Sequence, residues 1–271
     1  MNSTAYDIII LAGQSNAVGY GCGEADYALK HIDRVSLLYD DQPEDYSRDE
    51  NGKEFLDVRE PWRITLTPAE KGYTGSLALR FADEYIERGL LEHGRKILIV
   101  RCAVGGTGFC KGLWGVGQLL YRRMLDLTRF ALDLHPDSRA VAFLWHQGEC
   151  DAYENPDWDP LKKRVYYRDN LNGVISGVRS FVHDRRLPFL CGGFTDDWSK
   201  DYSEHCDAIV KALKQVCEGA GCAEYIDTKG LMSNDGLLHN GDTIHFCKQS
   251  VYEIGLRYFE SYLKIIKNSV K

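Results

Sequence analysis

The sequence predicts an α/β protein, a parallel sheet covered by helices on both faces in a three-layer α/β/α arrangement. Three observations lead there. Short apolar runs alternate with longer amphipathic segments along the whole chain, the pattern of repeated strand–helix units. Several runs are unbroken, as in residues 8–11 (IIIL) and 96–102 (KILIVRC), which suits strands buried on both faces. Finally, three runs end in glycine-bearing turns, at Gly13, Gly105-Gly106 and Gly148. In open α/β sheets, ligands bind beyond the carboxyl ends of the strands.

The elements follow in order. The first strand stops at Ala12-Gly13, and residues 34–39 (RVSLLY) form a second. Residues 40–71 are charged and irregular, with Pro43, Pro61 and Pro68. A loop that long is uncommon without a function such as covering a site. Ser76 is placed to cap a helix that puts Leu77, Phe81, Tyr85 and Ile86 on one face and ends near Gly89. After the strand at 96–102, a helix carries Leu120, Met124, Leu127, Ala131 and Leu134 at alternating three- and four-residue spacing, until Pro136 stops it. Strands at 139–145 and 188–194 flank a helix over 159–182. A helix through Ile209, Leu213 and Val216 leads to a short strand, Ala223–Ile226. A polar loop over 227–245 precedes a last amphipathic helix through Val251, Ile254, Tyr258, Tyr262 and Ile265. With no repeat, low-complexity tract or linker, the expectation is one domain over residues 1–271.

Composition narrows the function classes. Of 271 residues, 44% are hydrophobic and 27% charged, ordinary for a globular chain with a real core. A net charge of −7 argues against nucleic acid or an anionic membrane as partner. No apolar stretch approaches the roughly 20 residues of a membrane span. The nine cysteines are odd in number, scattered and without a CxxC pair. That excludes a zinc ribbon or disulfide framework and suits a reducing compartment. The N-terminus, MNSTAYDIII, has no basic n-region and no cleavage site, so a cytoplasmic protein is expected.

Four short blocks carry the chemistry. Ser15 sits in GQSN just past the first strand, where a nucleophile is useful. Its setting is not the G-x-S-x-G elbow, and Gly19, Gly21 and Gly23 make neither GxGxxG nor a P-loop. Asp242 and His245 lie three residues apart before the last helix. A carboxylate there can hold the imidazole Nδ1–H and leave Nε2 to take a proton from a serine. A capping aspartate beside a surface histidine is the commoner meaning of a lone DxxH. Residues 145–151 (WHQGECD) follow a strand, and the neutral amide of Gln147 can donate to an oxyanion. Glu149 and Asp151 fit structural, substrate-binding or, with His146, metal-ligand roles. Gly105-Gly106-Thr107 exposes backbone N–H groups toward the same edge, or is simply a turn.

GQSN, GGT, WHQGExD and DxxH, in this order from residue 13 to residue 245, resemble the SGNH hydrolase superfamily. More closely they resemble its sialate O-acetylesterase and acetylxylan-esterase branch, carbohydrate esterase family six. The resemblance implies a flavodoxin-like fold and deacetylation of sugars without metal or other cofactor. It puts the nucleophile on Ser15, the acid on Asp242 and the base on His245. The oxyanion donors would be the Ser15 backbone, Gly105 or Gly106, and Gln147, which stands where the wider superfamily has asparagine. Gln14, Asn16, His146 and Glu149 would lie near the site, orienting partners or touching substrate, and Trp114 would serve as a sugar platform or as core. The expected partner is an acetylated carbohydrate.

Two other readings compete. One is a metal-dependent hydrolase built on His146, Glu149, Asp151, Asp242 and His245. The other is a non-catalytic glycan-binding module, against which the intact Ser, Asp, His and Gln positions speak.

Overall fold

The computed structural model describes residues 4–42, 45–48, 54–57, 59–69 and 76–269. The chain runs β1 (Tyr6–Gly13), α1 (Ser15–Val18), β2 (Val35–Asp40), β3 (Asp45–Arg48), β4 (Glu54–Asp57), β5 (Ile64–Pro68), α2 (Leu77–Glu87) and β6 (Lys96–Arg101). It continues through α3 (Leu119–Asp133), β7 (Arg139–His146), α4 (Glu149–Tyr153), α5 (Pro160–Phe181) and β8 (Phe189–Gly192). Then come α6 (Asp196–Asp201), α7 (Ser203–Ala220), β9 (Ala223–Ile226), α8 (Asn234–Leu238) and α9 (Lys248–Ser269).

Residues 8–12 are apolar without interruption, and β1 is buried at every position and takes the middle of the sheet. Alternate side chains point to opposite faces. Ile8 and Ile10 join a core with Trp145 and Phe143, roofed by α3, α5 and α7. Ile9 and Leu11 join a second core on the other face, closed by α2 and α9 through Phe81, Tyr258 and Phe259. These two cores make the three layers.

The strand order is β5-β2-β6-β1-β7-β8-β9. β6 and β7 pair in parallel with the two edges of β1, with Ile9 opposite Ile99 and Ile10 opposite Phe143. The chain therefore crosses β1 between β6 and β7, and the carboxyl ends of these three strands lie side by side.

The described parts of the segment 40–71 depart from the expected irregular loop, while residues 43–44, 49–53, 58 and 70–71 lie outside the described residues. β3 and β4 pair as an antiparallel hairpin, and β5 runs antiparallel along β2 as the edge of the main sheet. Its alternation of apolar and polar residues, ITLTP, is the pattern of a half-exposed strand, obscured in the sequence by the surrounding charges and prolines. Ser76 does occupy the N-cap of α2, yet its side chain makes no capping bond; it is buried instead.

At the amino end of β1, Asp7 is wholly buried. Its carboxylate accepts from Arg95 Nε at 2.8 Å, Arg139 Nε at 2.9 Å and the Tyr85 hydroxyl at 2.9 Å. All nine cysteines are free thiols. Among the described residues no helix is long and apolar enough to cross a membrane.

Candidate active site

The site begins where β1 ends. Gly13 has φ +134°, and a Cβ there would stand 2.1 Å from the His146 carbonyl oxygen. Only glycine lets the ends of β1 and β7 approach so closely. Gln14 N–H then donates to His146 O at 3.0 Å, and the Gln14 carbonyl accepts from Ala17 and Val18 to start α1. Ser15 is thus the first helical residue, where the backbone N–H has no intrahelical acceptor.

His245 comes to Ser15 from the other end of the chain. Asn234 N–H donates to His245 O at 2.8 Å and Asp235 N–H to Asp242 O at 2.9 Å, so α8 fixes the loop between them. His245 Nε2 lies 2.8 Å from Ser15 Oγ, and Nδ1 lies 3.0 Å from each oxygen of Asp242. With Nδ1–H on the carboxylate, Nε2 presents its lone pair to the serine. Partial burial pushes the Asp242 carboxyl up, but hydrogen bonds from Asn234 and His245 outweigh it and hold the group below the ordinary aspartate range. The Asn234 bond, from Nδ2 to Oδ2, is 2.8 Å long. Nothing in the spacing of the sequence marks Asn234 for this task.

Asn16 joins the two halves. Its Oδ1 accepts from Phe246 N–H at 3.1 Å, and its Nδ2 donates to Ile244 O at 3.1 Å and Glu149 Oε1 at 2.6 Å. The residues on either side of His245 are therefore both held by the residue that follows Ser15. Glu149 is 1% exposed, and burial raises its carboxyl despite the Asn16 bond.

The Gly105-Gly106 turn is held from below. Asp151 accepts from Phe109 N–H at 3.1 Å and Cys110 N–H at 2.8 Å. Gly108 leaves room for this, since a Cβ would meet Asp151 Oδ2 at 2.6 Å. Trp114 Nε1 donates to Thr107 Oγ1 at 2.9 Å, and Thr107 Oγ1 donates in turn to Val104 O at 2.7 Å. Trp114 is fully buried with its ring edge on to Trp145, so it supports the turn from the core and offers no sugar platform.

Gln147 departs from its expected place. It is 0% exposed, and its Nε2 faces Asp151 Oδ2 at 2.7 Å, Thr107 O at 3.0 Å and Gln14 Oε1 at 3.2 Å. Its own Oε1 has no partner. Turning the amide over would set an oxygen against three oxygens, so the donors stay committed beneath the site. Gln14, by contrast, lines the cavity beside Ser15. Its Oε1 is occupied by Gln147 Nε2 and by Cys150 N–H at 3.2 Å, which leaves the Gln14 amide nitrogen for the cavity.

His146 also turns away from the cavity. Tyr258 donates its hydroxyl to Trp145 O at 2.9 Å, so the His146 Nδ1 at 3.0 Å must donate to Tyr258. Its Nε2 is buried without a partner, and burial pushes the imidazole down to about 4. His146, Glu149 and Asp151 therefore face Tyr258, Asn16 and the 109–110 backbone respectively, instead of converging on one point. Among the described residues no group of three or more His, Cys, Asp or Glu is placed to hold a metal ion.

Ser15 and His245 open into a cavity of about 490 Å³ walled by Gly105, Gly106, Lys111, Ile244, Tyr20 and Tyr46. Tyr20 stands edge-on to His245 with centroids 5.6 Å apart. Tyr46, from β3, donates its hydroxyl to Gly105 O. The paired strands β3 and β4 thus bring part of the segment 40–71 to the site. Tyr20 and Lys111 carry no signal in the sequence beyond lying within or near the glycine-rich blocks, and Tyr46 lies in the charged segment 40–71.

The family described as carbohydrate esterase, sialic acid-specific acetylesterase matches residues 5–264. A probable 9-O-acetyl-N-acetylneuraminic acid deacetylase of Escherichia coli K12 is 25% identical over 248 residues, covering 75% of this chain and 72% of that protein. The fold is similar to the crystal structure of NanS, with TM-score 0.71, 18% identity and 99% of each chain covered. It is also similar to an Arabidopsis thaliana protein, with TM-score 0.66, 20% identity and coverage of 96% and 98%. A carbohydrate acetylesterase from Xanthomonas citri follows at TM-score 0.62 and 17% identity, covering 97% of this chain and 56% of that one.

Proposed function

The chain belongs to the carbohydrate esterase family of sialic acid-specific acetylesterases, and on that footing we propose that it removes O-acetyl groups from a sugar or glycan through an acetyl-enzyme on Ser15. It acts as a single esterase domain over residues 1–271. The observation that carries this reading is the unbroken chain of contacts from Ser15 Oγ to His245 to Asp242.

His245 Nε2 takes the Ser15 proton as Oγ attacks the acetyl carbonyl. The imidazolium that forms is stabilised by Asp242, whose two oxygens share the Nδ1–H. Negative charge then develops on the carbonyl oxygen. The Ser15 N–H at the start of α1, the Gly105 and Gly106 turn and the Gln14 amide nitrogen surround the cavity where it forms. Preorganised donors of this kind lower the barrier because their reorientation is already complete. Proton return from His245 to the sugar oxygen expels the alcohol, and water repeats the sequence on the acetyl-enzyme. Gln147 serves here by holding Gln14 Oε1, so that the donor end of Gln14 points at the reaction.

An O-acetylated sialic acid is the first substrate to test, given the E. coli relative's description. Ser15→Ala should abolish acetate release from it while leaving thermal unfolding nearly unchanged, because a hydroxyl on the cavity wall adds little to the core. Retention of most activity by the folded variant would refute the assignment.

A further inference from the structure

We propose that a second chamber, opening beside the catalytic cavity, is the subsite that holds the acetyl-bearing sugar, with the Glu149 carboxyl hydrogen-bonding one of its hydroxyl groups and an aromatic wall taking its ring. This rests on the esterase reading above and adds where the leaving alcohol sits.

The chamber holds about 330 Å³ and shares Gln14, Gly106, Lys111 and Ile244 with the catalytic cavity. A ligand can therefore span both without leaving the protein. Its outer wall is aromatic. Trp198 and Tyr202 lie 5.2 Å apart between centroids, and Tyr153 meets Tyr202 edge-on at 5.8 Å. Tyr153 is 57% exposed, which leaves much of its ring accessible to a ligand in the chamber. Rings of this kind suit the C–H faces of a sugar, and ligand sites combine such apolar walls with few, placed polar groups.

The placed polar group is Glu149. It lines the chamber and is 1% exposed. One oxygen accepts from Asn16, and Oε2 is buried without a well-formed hydrogen bond, with the Gly148 and Glu149 backbone N–H groups close enough to act on the carboxyl. A buried carboxyl oxygen left unpaired is costly, and a sugar hydroxyl, which both donates and accepts, satisfies it in either protonation state. Burial is the largest influence on this carboxyl and raises it. Lys111, the cation in the lining among the described residues, lies 3.4 Å from Glu154. The chamber suits a polyhydroxylated unit. Ser15 and His245 line the other cavity and not this one, so the ester bond sits there and the sugar extends into the chamber.

The test compares two esters of the same acid in Glu149→Ala and Tyr153→Ala. One is 9-O-acetyl-N-acetylneuraminic acid, and the other is 4-nitrophenyl acetate, which has no sugar. The readout is the ratio of their kcat/KM values. Loss of one hydrogen bond to the sugar should lower that ratio about fivefold to tenfold in Glu149→Ala, mainly through KM for the sugar ester. Tyr153→Ala should lower it at least fivefold as well, and its exposed ring makes it the deciding variant if Glu149→Ala fails to fold. A ratio within fivefold of the unmodified protein in the folded variants overturns the subsite. That includes equal loss on both esters, which would mean Glu149 acts only by holding Asn16. Failure of the esterase reading shows itself separately, as turnover of 4-nitrophenyl acetate that survives Ser15→Ala.

Discussion

Removing the Gln14 amide and removing the Gln147 amide should have unequal and non-multiplying effects. Gln14 lines the cavity and has its oxygen pinned by Gln147 Nε2 and Cys150 N–H, both at 3.2 Å. Gln14→Ala deletes a donor needed only once charge develops. It should lower kcat by about 10²–10³, equivalent to about 2.7–4 kcal/mol, with KM little changed. Gln147→Ala acts at one remove. It takes away one of the two bonds that hold Gln14 and leaves the other, so the loss should be about tenfold, the worth of about one hydrogen bond. Without Gln14 there is nothing left for Gln147 to position, and the double variant should be about as slow as Gln14→Ala alone. Steady-state kcat and KM on one acetyl ester, with thermal unfolding to confirm folding, measure all three. A Gln147→Ala loss larger than that of Gln14→Ala, or losses that multiply in the double variant, would refute this division of roles.

Three further outcomes follow from the same structure. The His146 imidazole sits near 4 when folded against about 6.5 when free, so the unfolded chain binds the extra proton between those values. Stability should be full above about pH 6.5 and fall by about 3 kcal/mol as pH drops to about 4, and His146→Gln should flatten most of that slope in urea unfolding. Asn234→Ala frees Asp242 Oδ2 from its 2.8 Å bond and should lower kcat about tenfold, read by steady-state kinetics. Asp7→Ala strands the guanidinium of Arg95 and should cost about 3–5 kcal/mol in urea unfolding. The folded fraction should keep its activity, because Asp7 lies at the opposite end of β1.

The three layers were legible because β1, β6 and β7 each carry an unbroken apolar run and each of the long helices carries one apolar stripe. Local rules suffice for that. The Ser15, Asp242 and His245 constellation was legible for a different reason: each lies in a short block next to an element boundary. The failures have a common cause. Gln147 follows a strand end just as a cavity residue would, but whether its amide looks into the cavity or beneath it depends on Asp151 and Thr107, brought there by other segments. Trp114 could equally have faced out until the Thr107 hydroxyl and Trp145 took it inward. β5 and the β3–β4 hairpin were hidden because edge strands carry charge and proline among their apolar residues. Asn234 and Tyr46 were invisible for the same reason as the Gln147 orientation, since long-range pairing leaves no local signature.

The most direct measurement is where a phosphonate ester inhibitor attaches. Such a reagent is attacked by an activated serine and mimics the tetrahedral centre that attack on an acetyl ester creates. Peptide mass spectrometry should find one adduct per chain, on Ser15, formed in step with loss of esterase activity. The same reagent should leave His245→Ala unlabelled at that residue, because the proton on Oγ then has no acceptor. An adduct on a different side chain, or activity that persists after Ser15 is fully labelled, would contradict the assignment of Ser15 as the nucleophile.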